Sequence, residues 1–179
     1  MSIYENEACR ITLPNGYLPG LYETLAARGI QVEGGVSGEF ASDAPAAQAF
    51  IDGYTAADAL AYARSARCAE VLAHSKNLRD LATAAVAQGE MASWPIKRAE
   101  AIAFSADPNA ACPMLSAEAA GRGITLAALV DKVMGNAARF QALESAIGGT
   151  DGRHRDAIMA LDSCEAVAAY DYSTGWPEV

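Results

Sequence analysis

Two histidines, four cysteines and scattered carboxylates are the groups from which any covalent or acid–base chemistry would have to be built. Nucleophilic catalysis needs a thiol or hydroxyl within hydrogen-bond reach of a base. His74 follows Cys68 at a spacing that turns the two side chains apart on a helix, so they make no Cys–His pair. The cysteines (Cys9, Cys68, Cys112, Cys164) contain no Cys-x-x-Cys motif, which removes the thioredoxin-like and zinc patterns and leaves reduced, partly buried thiols as the expectation. His154 stands in Arg153-His154-Arg155-Asp156, at the expected start of a last helix. The flanking guanidiniums there suit an anion or an acidic partner surface, and the plainer alternative is a solvated first turn. Glycine occurs in runs at Gly34-Gly35, Gly121-Arg122-Gly123 and Gly148-Gly149, none in the context of a phosphate loop or dinucleotide fingerprint. Glu100, Glu118 and Glu144 stand singly on helical patterns and read as solvated. No catalytic, cofactor-binding or metal-ligating set is assigned. The expected mode of action is contact with a partner.

The elements that would position such contacts are mostly helical. Of 179 residues, 52 % are hydrophobic, enough for a real core, but much of that is alanine and only 7 % of the chain is aromatic, which favours thin, close-packed helices. The net charge of −9 argues against a broad nucleic-acid surface, which needs clustered Lys and Arg. No apolar run is long enough to span a bilayer, so membrane insertion is not expected. Acidic residues within Met1–Glu7 are unlike a signal peptide, and a cytoplasmic protein is expected.

Residues 1–53 read as a small α+β unit. Arg10–Leu13 is β-like and closes on Pro14-Asn15-Gly16; Leu18–Arg28 is amphipathic, with Gly29 as its C′ residue. Ile30–Glu33 alternates like a strand up to a turn at Gly34-Gly35, and Val36–Phe40 resumes it. Ser42-Asp43 caps a helix over Pro45–Asp52. The same glycines also suit an irregular arm that takes shape against a partner.

A long helix is predicted from Thr55 to Gln88, ended by Gly89, giving a connecting segment over residues 54–92. Residues 93–169 form the expected helical domain. Ser93 caps a short helix with Pro95 in its first turn and Ile96, Ala99, Ala103 and Phe104 on one face; Pro108 stops it by pushing Asp107 out of the α region. After a short piece over Met114–Ala120, Thr125 caps a helix reaching Ile147, where Leu126, Val133, Phe140 and Ile147 repeat at heptad spacing. A turn at Gly148-Gly149 and a final helix from Asp151 complete an antiparallel hairpin, with an intermolecular coil, and so a homo-oligomer, as the alternative. The tail over residues 170–179 is aromatic and non-helical. The fold class is therefore mainly α, with long helices, a C-terminal helical hairpin and a small α+β N-terminal unit.

One string of residues resembles a known family. Trp94-Pro95-x-Lys97-x-x-Glu100-Ala101-x-Ala103-Phe104, then Ala106-Asp107-Pro108, Pro113-Met114-Leu115, Ala119-Ala120-x-Arg122-Gly123-Ile124, Leu129-x-x-Lys132-Val133 and Asp156-x-Ile158, are similar to a tail-fibre assembly-like family of bacteriophages and prophages. Ile30-Gln31-Val32 and Ala46–Tyr54 extend the likeness. The chain departs from the family at Gly148–Arg153, where many members continue with Arg-Gln and a further helix. The resemblance implies a non-catalytic protein that binds the tail fibre or neighbouring tail and baseplate proteins, in the host bacterial cytoplasm during assembly or retained in the virion tail. A phage-encoded regulator or inhibitor of a host protein is the alternative. The residues chosen as a partner surface are Arg153, Arg155, Tyr170, Tyr172 and Trp176, because exposed aromatics and arginines dominate interface energetics.

Overall fold

A computed structural model describes residues 7–179; of the acidic N-terminal segment weighed above, residues 1–6 lie outside the described residues. The fold is mainly α with a small α+β unit, as composition and patterning indicate. The described chain divides into two units that interleave in sequence: residues 7–71 with 154–172, and residues 72–153 with 173–179.

The first unit is built on a three-stranded antiparallel sheet. A single 3-10 turn leads into β1 (Arg10–Ile11), followed by α1 (Leu21–Ala27), β2 (Val32–Gly35), β3 (Gly38–Ala41) and α2 (Ala44–Gly53). The sheet order is β1-β3-β2, with Ile11 opposite Glu39 and Val32 opposite Ala41. Several local signals act as read. Gly16 closes the Pro14-Asn15 turn onto the Leu13 carbonyl, Gly29 sits at positive φ beyond α1, and the Asp43 carboxylate accepts the Ala46 N–H at 3.1 Å. One signal does not. Gly34 and Gly35 lie inside β2, and the hairpin turns at Val36-Ser37. Pairing Val32 with Ala41 sets a register in which Gly35 meets Gly38, so only two residues remain for the loop.

The core of this unit gathers Ile11, Leu21, Leu25, Ala41, Ala47, Ile51, Tyr54 and Ala59. Gln48 of α2 continues the sheet by side chain: its amide accepts the Thr12 N–H at 2.8 Å and donates to the Thr12 carbonyl. α3 (Ala56–Thr83) begins here with a capping box, in which the Asp58 carboxylate accepts the Thr55 N–H and hydroxyl while the Thr55 hydroxyl accepts the Asp58 N–H. Those bonds hold the Asp58 carboxyl below its usual value.

The second unit takes the C-terminal part of α3 and adds α4 (Gln88–Ala106), α5 (Pro113–Arg122) and most of α6 (Leu126–Ala160); α7 (Cys164–Ala169) belongs to the first. Here the sequence reading needs correction in three places. α3 stops at Thr83, and Gly89 lies in the first turn of α4 instead of ending α3. Ala87 is the N-cap of α4, so Ser93 is helical, its hydroxyl donating to the Glu90 carbonyl, and Pro95 is internal. The longer helix is held from inside the fold: Lys97 reaches back two turns to Glu90 at 2.7 Å. The buried face of α4 is accordingly centred on Lys97 and Ala101, and Ile96 is half exposed.

The third correction concerns the hairpin. Gly148 and Gly149 are helical, within a helix of 35 residues, and neither has positive φ. Ile147, Thr150, His154 and Ile158 are buried at helical spacing, and their burial outweighs the poor helix propensity of the glycines. The chain leaves the helix at Leu161–Ser163, where Ser163 caps α7 by accepting the Ala166 N–H. Of the heptad positions, Leu126 and Val133 border the cluster of Ala101, Cys112, Leu115, Ala119, Leu129 and Val130, Ile147 is buried, and Phe140 is exposed, its ring edge to face with Trp94 at 5.4 Å between centroids.

Candidate functional site

The five residues chosen from sequence fall in both units. Arg155, Tyr170 and Tyr172 belong to the first, Arg153 and Trp176 to the second. In the first unit, His154 is buried within α6 and its Nδ1 lies 2.9 Å from the Tyr170 hydroxyl, with the rings edge to face. His154 is thus a core residue of a helix interior, not part of a solvated first turn. Tyr172 lies under the Arg67 guanidinium, 4.8 Å from ring centroid to Cζ. Arg155 is exposed.

Two arginines of α3 give the C-terminal segment its place. Arg67 donates to the Ala168 and Tyr170 carbonyls, at 3.3 and 2.6 Å, and pairs with Glu70. Arg64 donates through Nε to the Leu161 carbonyl at 2.9 Å, with Nη2 on the same oxygen. These carbonyls end α6 and α7, where peptide oxygens lack helical partners and the dipole favours a cation. Arginine's planar fork serves several such acceptors from one side chain.

In the second unit the tail is held by different residues. Trp176 lies against His74 with centroids 4.8 Å apart and the rings tilted by 52°, and the Thr150 hydroxyl donates to the Gly175 carbonyl at 2.9 Å. Gly175 has φ +78°, and a Cβ built there would stand 2.3 Å from Arg153 Nη2. Arg153 therefore lies against the tail backbone. Each of the three aromatics is half-buried and engaged with a partner in its own unit.

The carboxylates read from sequence as solvated have structural partners. Glu100 reaches from α4 to the start of α5, where it accepts the Met114 N–H at 3.1 Å and the Leu115 N–H at 2.8 Å. Cys112, the N-cap residue, makes no side-chain cap bond, so Glu100 caps α5 from another helix. Glu118 bridges Lys97 and Arg122, both at 2.8 Å, while Lys97 also holds Glu90. The bonds from Lys97, and secondarily from Arg122, hold the Glu118 carboxyl below its ordinary value; those to Glu118 and Glu90 hold the Lys97 ammonium above its own. Glu144 pairs with Arg79 at 2.9 Å. The spacing from Glu100 to Pro113, with a non-capping residue at Cys112, was the available signal for the cap; nothing in the spacing signals Lys97–Glu118.

Among the described residues, no group of three or more His, Cys, Asp or Glu side chains converges as a metal site, all four cysteines are free thiols, and no helix is long and apolar enough to cross a membrane. What the arrangement offers chemically is helical surface carrying ion pairs. No protein-family model matches the chain, and neither a curated protein nor a solved structure does.

Proposed function

We propose that this is a non-catalytic bacteriophage tail protein that binds the tail fibre or baseplate, either as an assembly chaperone or as a fibre-associated component of the virion. The observation that supports the reading is where the resembling residues lie. Lys97, Glu100, Ala101, Leu115, Ala119 and Leu129, dispersed in the chain, meet in one kernel of ion pair, helix cap and apolar core in the second unit. The resembling string thus falls on residues that hold this unit together. The proposed mechanism is stoichiometric: helical surface covers apolar or strand-edge surface of a fibre subunit and blocks premature association.

Co-expression with a bacteriophage tail-fibre protein tests the proposal. The expected result is a complex that co-purifies and a higher soluble yield of fibre. The absence of both effects would sink the reading. Mass spectrometry of purified virions then separates the two versions, since presence at fibre-like copy number excludes a chaperone that departs. Recovery of a host enzyme in place of the fibre would favour the host-regulator alternative.

A further inference from the structure

Arg28, just past α1, lies over the ring of Phe50 with its Cζ 4.3 Å from the centroid. Among the described residues its guanidinium has no ion pair and no hydrogen-bond acceptor. In the same unit Arg10, Arg64 and Arg67 are engaged by Glu7, the Leu161 carbonyl and Glu70. A ring contact holds the plane of a guanidinium without using its N–H donors. Arg28 shares with Asp58 an open cavity of about 570 Å³, within the size range of small-ligand sites. The apolar wall is one face of α2, where Ala46, Ala49, Phe50 and Gly53 recur at helical spacing and three of the four are small. Tyr54 adds a second ring 5.4 Å from that of Phe50, fixed by its hydroxyl, which donates to the Pro19 carbonyl at 2.8 Å.

Two opposite charges thus face one cavity, and no ion pair joins them. Both bonds that Thr55 donates to the Asp58 carboxylate fall on Oδ2, which leaves Oδ1 to a ligand. This pair of charges selects the occupant. An anion drawn to Arg28 would meet a carboxylate on the opposing charge, and a cation drawn to Asp58 would meet a guanidinium. A ligand that carries both charges on an apolar body is attracted by both, while its body covers Phe50 and the α2 face.

We propose that this cavity binds a small zwitterion with an apolar body, an α-amino acid or a short peptide with free ends. Its carboxylate would sit on the Arg28 guanidinium, its ammonium on the Asp58 carboxylate and its apolar part against Phe50. The proposal uses the first unit alone and stands independently of the tail-fibre reading. Gly53 gives a sharp handle. It lines the cavity, its φ is not positive, and nothing stands within 4 Å of an added Cβ. Leucine there fills the cavity without straining the backbone.

The test titrates the full-length ¹⁵N-labelled chain with L-phenylalanine and with the dipeptide leucyl-phenylalanine, each also in its N-acetyl and its C-terminal amide form. The tighter of the two parent compounds identifies the source as free amino acid or peptide. The expected response is a shift of the Arg28, Phe50, Gly53 and Asp58 amides. Acetylation removes the ammonium charge and amidation the carboxylate, and each weakens binding about fivefold, the scale of an exposed charge pair. Arg28→Gln weakens the parent about fivefold and leaves the amide form unaffected; Asp58→Asn weakens the parent equally and leaves the acetyl form unaffected. Gly53→Leu abolishes binding. The proposal is overturned if neither parent shifts these amides, if either capped form binds as tightly as its parent, or if binding survives Gly53→Leu. Where Asp58→Asn frays the start of α3, the capped ligands on the wild-type chain still decide.

Discussion

Lys97 lies buried between the carboxylates of Glu90 and Glu118, and removing its charge while keeping its bulk takes that cation from Glu90 and leaves Glu118 with Arg122 alone. Lys97→Met is expected to cost about 2 kcal/mol, between the ranges for exposed and buried pairs. The pH dependence has a definite sign. Glu118 is lowered from 4.5, so its contribution is present above that value and lost as pH falls through its folded value; Lys97 is raised from 10.5, so its contribution is present below that value and lost as pH rises through its folded value. Thermal unfolding across pH should show a plateau between these limits in the wild type, and a shallower alkaline arm in Lys97→Met. Glu100→Ala tests the cap between helices. It should lower stability in urea unfolding by about 1 kcal/mol, with faster amide exchange at Met114 and Leu115. Gly20 is a residue that only glycine satisfies: it has φ +81° and a Cβ would stand 2.1 Å from the Tyr62 ring. Gly20→Ala is expected to destabilise by at least about 2 kcal/mol, read from the urea midpoint.

At the scale of the element, α6 gives the most direct contest between local and tertiary preference. Gly148 and Gly149 are exposed, helical, and have nothing within 4 Å of an added Cβ. Gly148→Ala and Gly149→Ala should each therefore raise stability by about 0.5–1 kcal/mol, seen as a higher melting temperature and stronger helical circular dichroism. A turn at these residues would give the opposite sign, since alanine is poor at positive φ. Caps were more legible than lengths. Thr55, Asp43 and Thr125 start helices as their types require, and Pro108 stops α4 at Asp107, because the constraints involved are local. The N-terminal extension of α4 past Ser93 depends on Lys97 meeting Glu90 and Glu118, which no pattern along α4 announces.

For the whole molecule, the interleaving of units makes a prediction about fragments. The core of the first unit lies mainly within residues 7–59, but Arg64 and Arg67 find their carbonyl acceptors at Leu161, Ala168 and Tyr170. Residues 1–71 expressed alone should keep the cross-strand contacts of the sheet while the helix after Ala59 frays, as exchange protection measured by NMR would show. A uniformly protected helix to Val71 would refute this. The candidate surface was legible only as residue types: Tyr170, Tyr172 and Trp176 are aromatic and near the C-terminal end of the chain, yet their partners His154, Arg67 and His74 lie 16 to about 100 residues away along the chain. Pairings at such separations leave no periodicity to read.

Composition, helical period and cap chemistry by themselves determined the helical class, the strand-like runs near the N-terminal end, and the stops at Gly29 and Pro108, because each follows from the conformational limits of a few adjacent residues. Only the tertiary structure decided that Gly148 and Gly149 continue a helix, that Glu100 caps α5, and that Gly34 and Gly35 lie within β2 instead of forming a turn. The reason is common to all three. Burial of Ile147 and Ile158, a carboxylate from another helix, and the register of Val32 against Ala41 each involve residues far apart in the chain, and their energies exceed the local preference they override.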